Sequence, residues 1–218
     1  MKILFQGDSI TDAARTTLGG ESLGCGYPLF VAGKILAEYP QKNFTVINRG
    51  ISGNRVVDLY QRWKVHGLNL EPDVISILIG INETWHEFNN NNGVELDRYE
   101  MIYRELLKWT LKVRPDVRLI LCEPFMFSDS QAGEGYKAGE NWAAADAWRE
   151  DVDARRVIVR KLAKEFDTAF VPFQEVLDDA LKSAPPAYWL RDGVHPTTAG
   201  HVLMAEAWLK AAAPILGI

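Results

Sequence analysis

The sequence predicts one α/β domain over residues 1–218: a three-layer α/β/α sandwich around a five-stranded parallel sheet in flavodoxin-like order. Short apolar, β-branched runs occur at residues 3–5, 44–47, 74–79, 117–121 and, more weakly, 169–171. Their near-continuous apolarity marks strands buried on both faces, as in parallel sheets. Helical periodicity fills the intervals, and alternating strands and helices imply right-handed crossovers. The chain has 218 residues, 47% of them hydrophobic, enough for one sizeable core, and shows neither an internal repeat nor a linker.

In chain order, strand 3–5 leads towards a helix over 27–38, which carries Leu29, Phe30, Ala32, Leu36 and Ala37 and ends at Tyr39-Pro40. Strand 44–47 follows, then strand 74–79. A helix over 96–113 repeats Met101, Ile102, Leu106, Trp109 and Val113 and stops before Arg114-Pro115. After strand 117–121, residues 128–141 are rich in Gly, Glu and Ala without periodicity, and read as a surface loop or partial lid. Helices over 152–166 and 173–184 bracket the strand at 169–171. A last helix runs from 198 to about 213, with Thr197 or Thr198 as N-cap. Trp63, Trp109 and Trp208 fit helix packing faces.

Charged residues make up 24% and the net charge is −5, with both signs interspersed. Such a surface excludes a nucleic-acid or anionic-membrane partner. Cys25 and Cys122 form no CxxC pair, which argues against a disulfide framework or zinc site; both read as small buried residues. The N-terminal apolar run is too short for a signal peptide, and no segment approaches the ~20 apolar residues of a membrane span. The chain reads as soluble and cytoplasmic.

In open α/β sheets, sites form beyond the C-terminal strand ends. Three polar, glycine-containing turns fall there: Gly7-Asp8-Ser9 after the first strand, residues 48–54 after the second and residues 80–83 after the third. Taken alone, Ser9 is an ordinary helix N-cap. Asp192-Gly193-Val194-His195-Pro196, taken alone, is an Asp-Gly turn. Together they supply what a serine nucleophile lacks at neutral pH: a histidine base and a carboxylate to orient it. Acyl transfer also builds charge on an oxygen, for which a glycine N–H in Asn48-Arg49-Gly50-Ile51-Ser52-Gly53-Asn54 and the Asn82 amide in Gly80-Ile81-Asn82-Glu83 are suitable donors.

These four blocks, in order across residues 3–201, resemble the SGNH (GDSL-type) hydrolases. The resemblance implies an esterase without cofactor or metal, with Ser9 as nucleophile, His195 as general base and then acid, and Asp192 orienting His195. It also implies an oxyanion hole of the Ser9 N–H, the Gly53 N–H and the Asn82 amide. Gly53 is preferred to Gly50 because Ile51-Ser52-Gly53-Asn54 matches the family's second block best. Asp8 is assigned a structural role under the nucleophile turn. One departure is visible, since the third block usually ends in Asp and here Glu83 stands there.

A narrower likeness, carried by Gly26-Tyr27 and residues 50–59, 80–85 and 189–201, resembles intracellular esterases that deacetylate xylo-oligosaccharides. The expected substrate is therefore a small acetylated oligosaccharide. Trp85 and Trp189 beside the blocks are candidates for stacking on sugar rings, and Arg55 for a hydroxyl contact or for supporting Glu83. Each has an ordinary alternative, core packing for the tryptophans and a surface salt bridge for Arg55. His66 and His86 have no partner pattern and read as surface or structural. His201 falls in the first turns of the last helix. Self-association stays open.

Three rivals share parts of the pattern. A thioesterase or lysophospholipase would use the same triad with a longer acyl pocket. A metal-dependent phosphohydrolase would use Asp8, Asp12, Asp192 and His195 as ligands. A flavodoxin-like binding module would cradle phosphate in the glycine turns, but the chain lacks a P-loop.

Overall fold

Side chains of the central strands point alternately into two cores, one on each face of the sheet. In the computed structural model, which describes residues 1–18, 21–128 and 145–218, Ile3 and Phe5 enter one core while Leu4 enters the other. Ile75, Ile77 and Ile79 likewise oppose Val74 and Leu78, and Leu119 and Leu121 oppose Ile120 and Cys122. This period of two, apolar on both faces, is the physical content of the apolar runs. Each such buried side chain contributes about 1.5–3 kcal/mol.

The strands are β1 (Lys2–Gly7), β2 (Thr45–Asn48), β3 (Val74–Leu78), β4 (Arg118–Cys122) and β5 (Ala169–Val171). They pair in parallel in the order β2-β1-β3-β4-β5, the flavodoxin-like arrangement expected. In register, Ile3 sits between Val46 and Val74, so the ends of β1, β2 and β3 reach the same edge.

The described helices are α1 (Ser9–Asp12), α2 (Arg15–Leu18), α3 (Tyr27–Glu38), α4 (Val56–His66), α5 (Ile81–Asn90), α6 (Leu96–Val113), α7 (Ala145–Glu165), α8 (Phe173–Ala180), α9 (Pro186–Trp189) and α10 (Thr198–Leu216). Tyr27, Phe173 and Trp208, from α3, α8 and α10, fill the core that contains Phe5. Trp63 of α4 and Tyr99, Tyr103 and Leu106 of α6 fill the other. The buried indoles keep their N–H groups satisfied, Trp208 on Ser76 Oγ at 2.9 Å and Trp63 on Thr110 Oγ1 at 2.8 Å.

The helices at 27–38 and 96–113 stand as expected, and Thr197 is the N-cap of α10, its side chain accepting from the Gly200 N–H. Other boundaries moved. The seventh helix begins at Ala145 because Trp148 buries in the core and the Arg149–Asp153 and Arg155–Asp151 pairs support its first turns. The eighth ends at Ala180, where turns through Lys182 and Ser183 lead to Pro185-Pro186. The tenth runs through Pro214 to a left-handed Gly217. Apart from Ser128, the expected loop at 128–141 lies outside the described residues. Apolar periodicity does not announce α4 and α5, where polar residues such as Arg62, Asn82 and Glu83 are held by neighbouring backbone at the sheet edge. Cys122 is buried as expected, whereas Cys25 is exposed, in a loop where its N–H donates to Ala13 O at 2.7 Å.

Candidate active site

The first turn is built by a glycine that tolerates no side chain. A Cβ on Gly7 would collide with Leu78 O and Thr11 Oγ1, so the chain passes close beneath β3 and delivers Ser9 to the first position of α1. There its N–H has no partner within the helix. Asp8 caps this helix, its Oδ1 accepting from the Ile10 N–H at 3.0 Å. Burial, with a smaller push from Glu83, raises the Asp8 carboxyl to about 7, against the lowering effect of that N–H. The expected structural role of Asp8 matches this placement.

The loop between α9 and α10 presents the other two side chains. Asp192 Oδ1 accepts from the N–H groups of Val194 at 3.1 Å and His195 at 2.7 Å, closing the turn over Gly193, whose φ is +82°. The loop is pinned at both sides, by the Phe127 N–H on Gly193 O at 2.8 Å and the Arg191 N–H on His195 O at 2.9 Å. Asp192 Oδ2 lies 2.7 Å from His195 Nδ1, and His195 Nε2 lies 2.9 Å from Ser9 Oγ. Because a carboxylate can only accept, Nδ1 carries the proton and Nε2 offers its lone pair to the serine hydroxyl. Burial alone would raise the Asp192 carboxyl, but its hydrogen bonds from the His195 side chain and backbone hold it below the usual carboxylate range.

The second turn is residues Ile51 to Asn54, closed by the Asn54 N–H on Ile51 O at 3.2 Å, with Gly53 at φ +80°. A positive φ at the third residue is that of a type II turn and favours glycine. Gly50 packs so tightly against Asp12 and Thr11 that it serves the close approach of two loops. Asn48 stitches those loops together, its Nδ2 donating to Thr11 O at 2.6 Å and Leu23 O at 2.9 Å. The half-buried Arg62 donates to Gln6 Oε1, Arg49 O, Gly7 O and Asn54 Oδ1, tying the first turn to the second. Burial lowers its guanidinium to about 10.

Asn82, buried in the first turn of α5, donates through Nδ2 to Asn54 O at 3.1 Å. An amide nitrogen has two hydrogens, so one remains for a ligand. Glu83 is fully buried, with Oε1 accepting from the Val56 N–H at 2.5 Å; burial raises this carboxyl to about 7. The longer side chain in place of Asp reaches the start of α4.

The aromatic and basic candidates separate. Trp85 flanks the histidine, its ring centroid 5.9 Å from that of His195. Trp189 turns away, its Nε1 donating to Ala180 O at 3.1 Å and Ala184 O at 3.3 Å. Arg55 is engaged by Asp58 at 2.9 Å and by the carbonyl and side chain of Asn92. Sequence reasoning missed His86, whose Nε2 meets Gly53 O at 3.0 Å; its spacing of four from Asn82 is the signal once α5 is known to be a helix. His201 is buried, its Nδ1 accepting from the Tyr27 N–H at 3.1 Å, and burial, helped by Arg191 and His195, lowers it to about 4.

A cleft of about 690 Å³ opens on Ser9, Ser52 and His195 and is bordered by Asp12, Arg191 and His201. Among the described residues, no three His, Cys, Asp or Glu side chains gather as a metal ion requires. Asp12 accepts from the Ser52 N–H at 3.0 Å, a second brace on the turn. No described helix is long and apolar enough to cross a membrane.

Residues 5–203 match the GDSL-like lipase/acylhydrolase family. An acetylxylan esterase of Geobacillus stearothermophilus is 36% identical, covering 96% of this chain and 92% of that protein. Its crystal structure superposes with a TM-score of 0.83 over 100% of this chain and 94% of its own. Solved catalytic mutants of that enzyme replace a serine and an aspartate by alanine. A Parabacteroides merdae protein assigned to the GDSL-like lipases is 41% identical with a TM-score of 0.84, covering 97% and 95% of the two chains. An α/β hydrolase from a Lake Arreo metagenome is 30% identical with a TM-score of 0.83, covering 97% and 94%.

Proposed function

For a chain that belongs to the GDSL-like lipase/acylhydrolase (SGNH) family and is a carboxylic ester hydrolase, we propose that it removes acetyl groups from small carbohydrates such as acetylated xylo-oligosaccharides, through Ser9, His195 and Asp192. The single observation that carries the reading is the unbroken relay from Asp192 Oδ2 through the imidazole to Ser9 Oγ, at 2.7 and 2.9 Å.

In the first half-reaction, the Ser9 oxygen attacks the acetyl carbonyl while His195 Nε2 takes its proton. Asp192 remains ionised and stabilises the imidazolium. The negative charge on the carbonyl oxygen is met by the N–H groups of Ser9 and Gly53 and by the free hydrogen of the Asn82 amide. Collapse of this intermediate passes the proton from His195 to the departing sugar oxygen and leaves an acetyl-enzyme. Water, deprotonated by the same imidazole, releases acetate and restores the serine. The polar border of the cleft suits a hydroxyl-rich alcohol and a short acyl group. Trp85, beside His195, offers an aromatic face for a sugar ring.

The test is acetate release from acetylated xylo-oligosaccharides by wild type and Ser9→Ala, beside nitrophenyl esters of increasing chain length. Release that the mutation abolishes, with acetate favoured among the model esters, supports the reading. Activity retained by Ser9→Ala would remove Ser9 from the mechanism, and preference for chains beyond about eight carbons would point to a long-chain acylhydrolase.

A further inference from the structure

We propose that His86 is a positioning residue of the oxyanion hole, its Nε2–H holding the Gly53 carbonyl so that the Gly53 N–H stays aimed at the developing oxyanion. The inference rests on the acyl-transfer reading above. Glycine has no side chain to confine its torsions, so the direction of the Gly53 N–H must be set from outside the residue. The turn bond from Asn54 N–H to Ile51 O closes the ring but engages neither the Gly53 nor the Asn54 carbonyl. Helix α5 takes them: His86 Nε2 meets Gly53 O at 3.0 Å and Asn82 Nδ2 meets Asn54 O at 3.1 Å.

Asn82 and His86 are one helical turn apart, so they share the face of α5 that looks onto the turn. Glu83 adds a third grip, accepting from the Val56 N–H where the segment enters α4. The helix that carries one oxyanion donor thus fixes the peptide that carries another. A carbonyl cannot donate, so the His86 Nε2 bears hydrogen, and it donates whether the ring is neutral or charged. The ring is half-buried, and the one atom near the side of Gly53 where a Cβ would stand is the His86 Nε2 itself, 4.0 Å away, so the bond orders one turn and carries little of the core.

The experiment compares His86→Ala and His86→Gln with wild type and Ser9→Ala on nitrophenyl acetate. It reads kcat and KM separately, the affinity for a phenylboronic acid that mimics the tetrahedral intermediate, and the thermal midpoint. Loss of one neutral hydrogen bond predicts a fall in kcat of up to about tenfold in His86→Ala, with KM unchanged and the boronate weakened by the same factor. His86→Gln, whose amide still donates, should recover most of the loss, and the shape of the pH–kcat profile should be the same in all active forms. Unchanged kcat in His86→Ala beside an inactive Ser9→Ala overturns this inference alone. So does a lowered thermal midpoint with unaltered boronate affinity, which marks a purely structural histidine. An active Ser9→Ala would instead bring down the serine reading and this inference with it.

Discussion

Ser9 Oγ and His195 Nε2 lie 2.9 Å apart although 186 positions separate them in the chain. Asp192 makes that contact chemically useful, because its Oδ2 decides which ring nitrogen keeps the proton. Replacing Asp192 by Asn places an amide N–H against Nδ1 and drives the imidazole to the wrong tautomer. Steady-state kinetics of Asp192→Asn should show kcat lowered by about 10⁴, with the fold intact by circular dichroism. A loss below about tenfold would show that Asp192 does not set the tautomer.

Asn82 donates one amide hydrogen to Asn54 O within the protein, and in the proposed mechanism gives the other to the oxyanion. Asn82→Ala should lower kcat by about 10²–10³ while KM changes little, since the bond strengthens in the transition state. A twofold change measured on a nitrophenyl ester would rule out the donor role.

Trp85 flanks His195 on one side and packs against Trp148, centroids 5.7 Å apart, on the other. Stacking on a sugar would make it matter for oligosaccharides and hardly for small esters. Trp85→Ala should raise KM for acetylated xylo-oligosaccharides about tenfold and leave kcat/KM for nitrophenyl acetate within about twofold. Equal losses on both substrates would mean that Trp85 only supports the histidine.

Glu83 is fully buried, and burial raises its carboxyl from 4.5 to about 7, with one oxygen accepting from Val56 N–H and the other without a hydrogen-bond partner. Between those two pH values the folded protein binds the proton that the unfolded chain has lost. Its contribution to stability is therefore fully present below 4.5 and is lost as pH rises through about 7. Glu83→Gln keeps the carbonyl acceptor and cannot ionise. Thermal melts should show the variant gaining on wild type as pH rises from about 5 to about 8. A difference constant across that range would mean that Glu83 is ionised throughout.

Much of the fold was legible because burial on both faces leaves continuous apolar runs, and the five strands follow them to within one to two residues. Helices α3 and α6 were legible because each ends at an aromatic or charged residue before a proline and carries a regular apolar stripe. Helices α4 and α5 were not. Their sequences hold residues that serve the sheet edge, Arg55, Arg62, Asn82, Glu83 and His86, in place of a wholly apolar stripe. The four blocks of the candidate site were readable as residue types at glycine turns, and Asp192 and His195 fall on one short loop whose spacing shows their partnership.

The sequence by itself determined which chain segments pair into a sheet, which turns reach its C-terminal edge and which side chains are candidates for a nucleophile, a base, a carboxylate and donors. Tertiary structure alone decided which of them meet. It set Trp85 against His195, turned Trp189 towards Ala180 and Ala184, and tied Arg55 to Asp58 and Asn92. It also gave His86 its place on Gly53. Residue type and spacing fix local backbone geometry, but the direction of a half-buried side chain depends on hydrogen-bond partners that arrive from distant segments when the layers close.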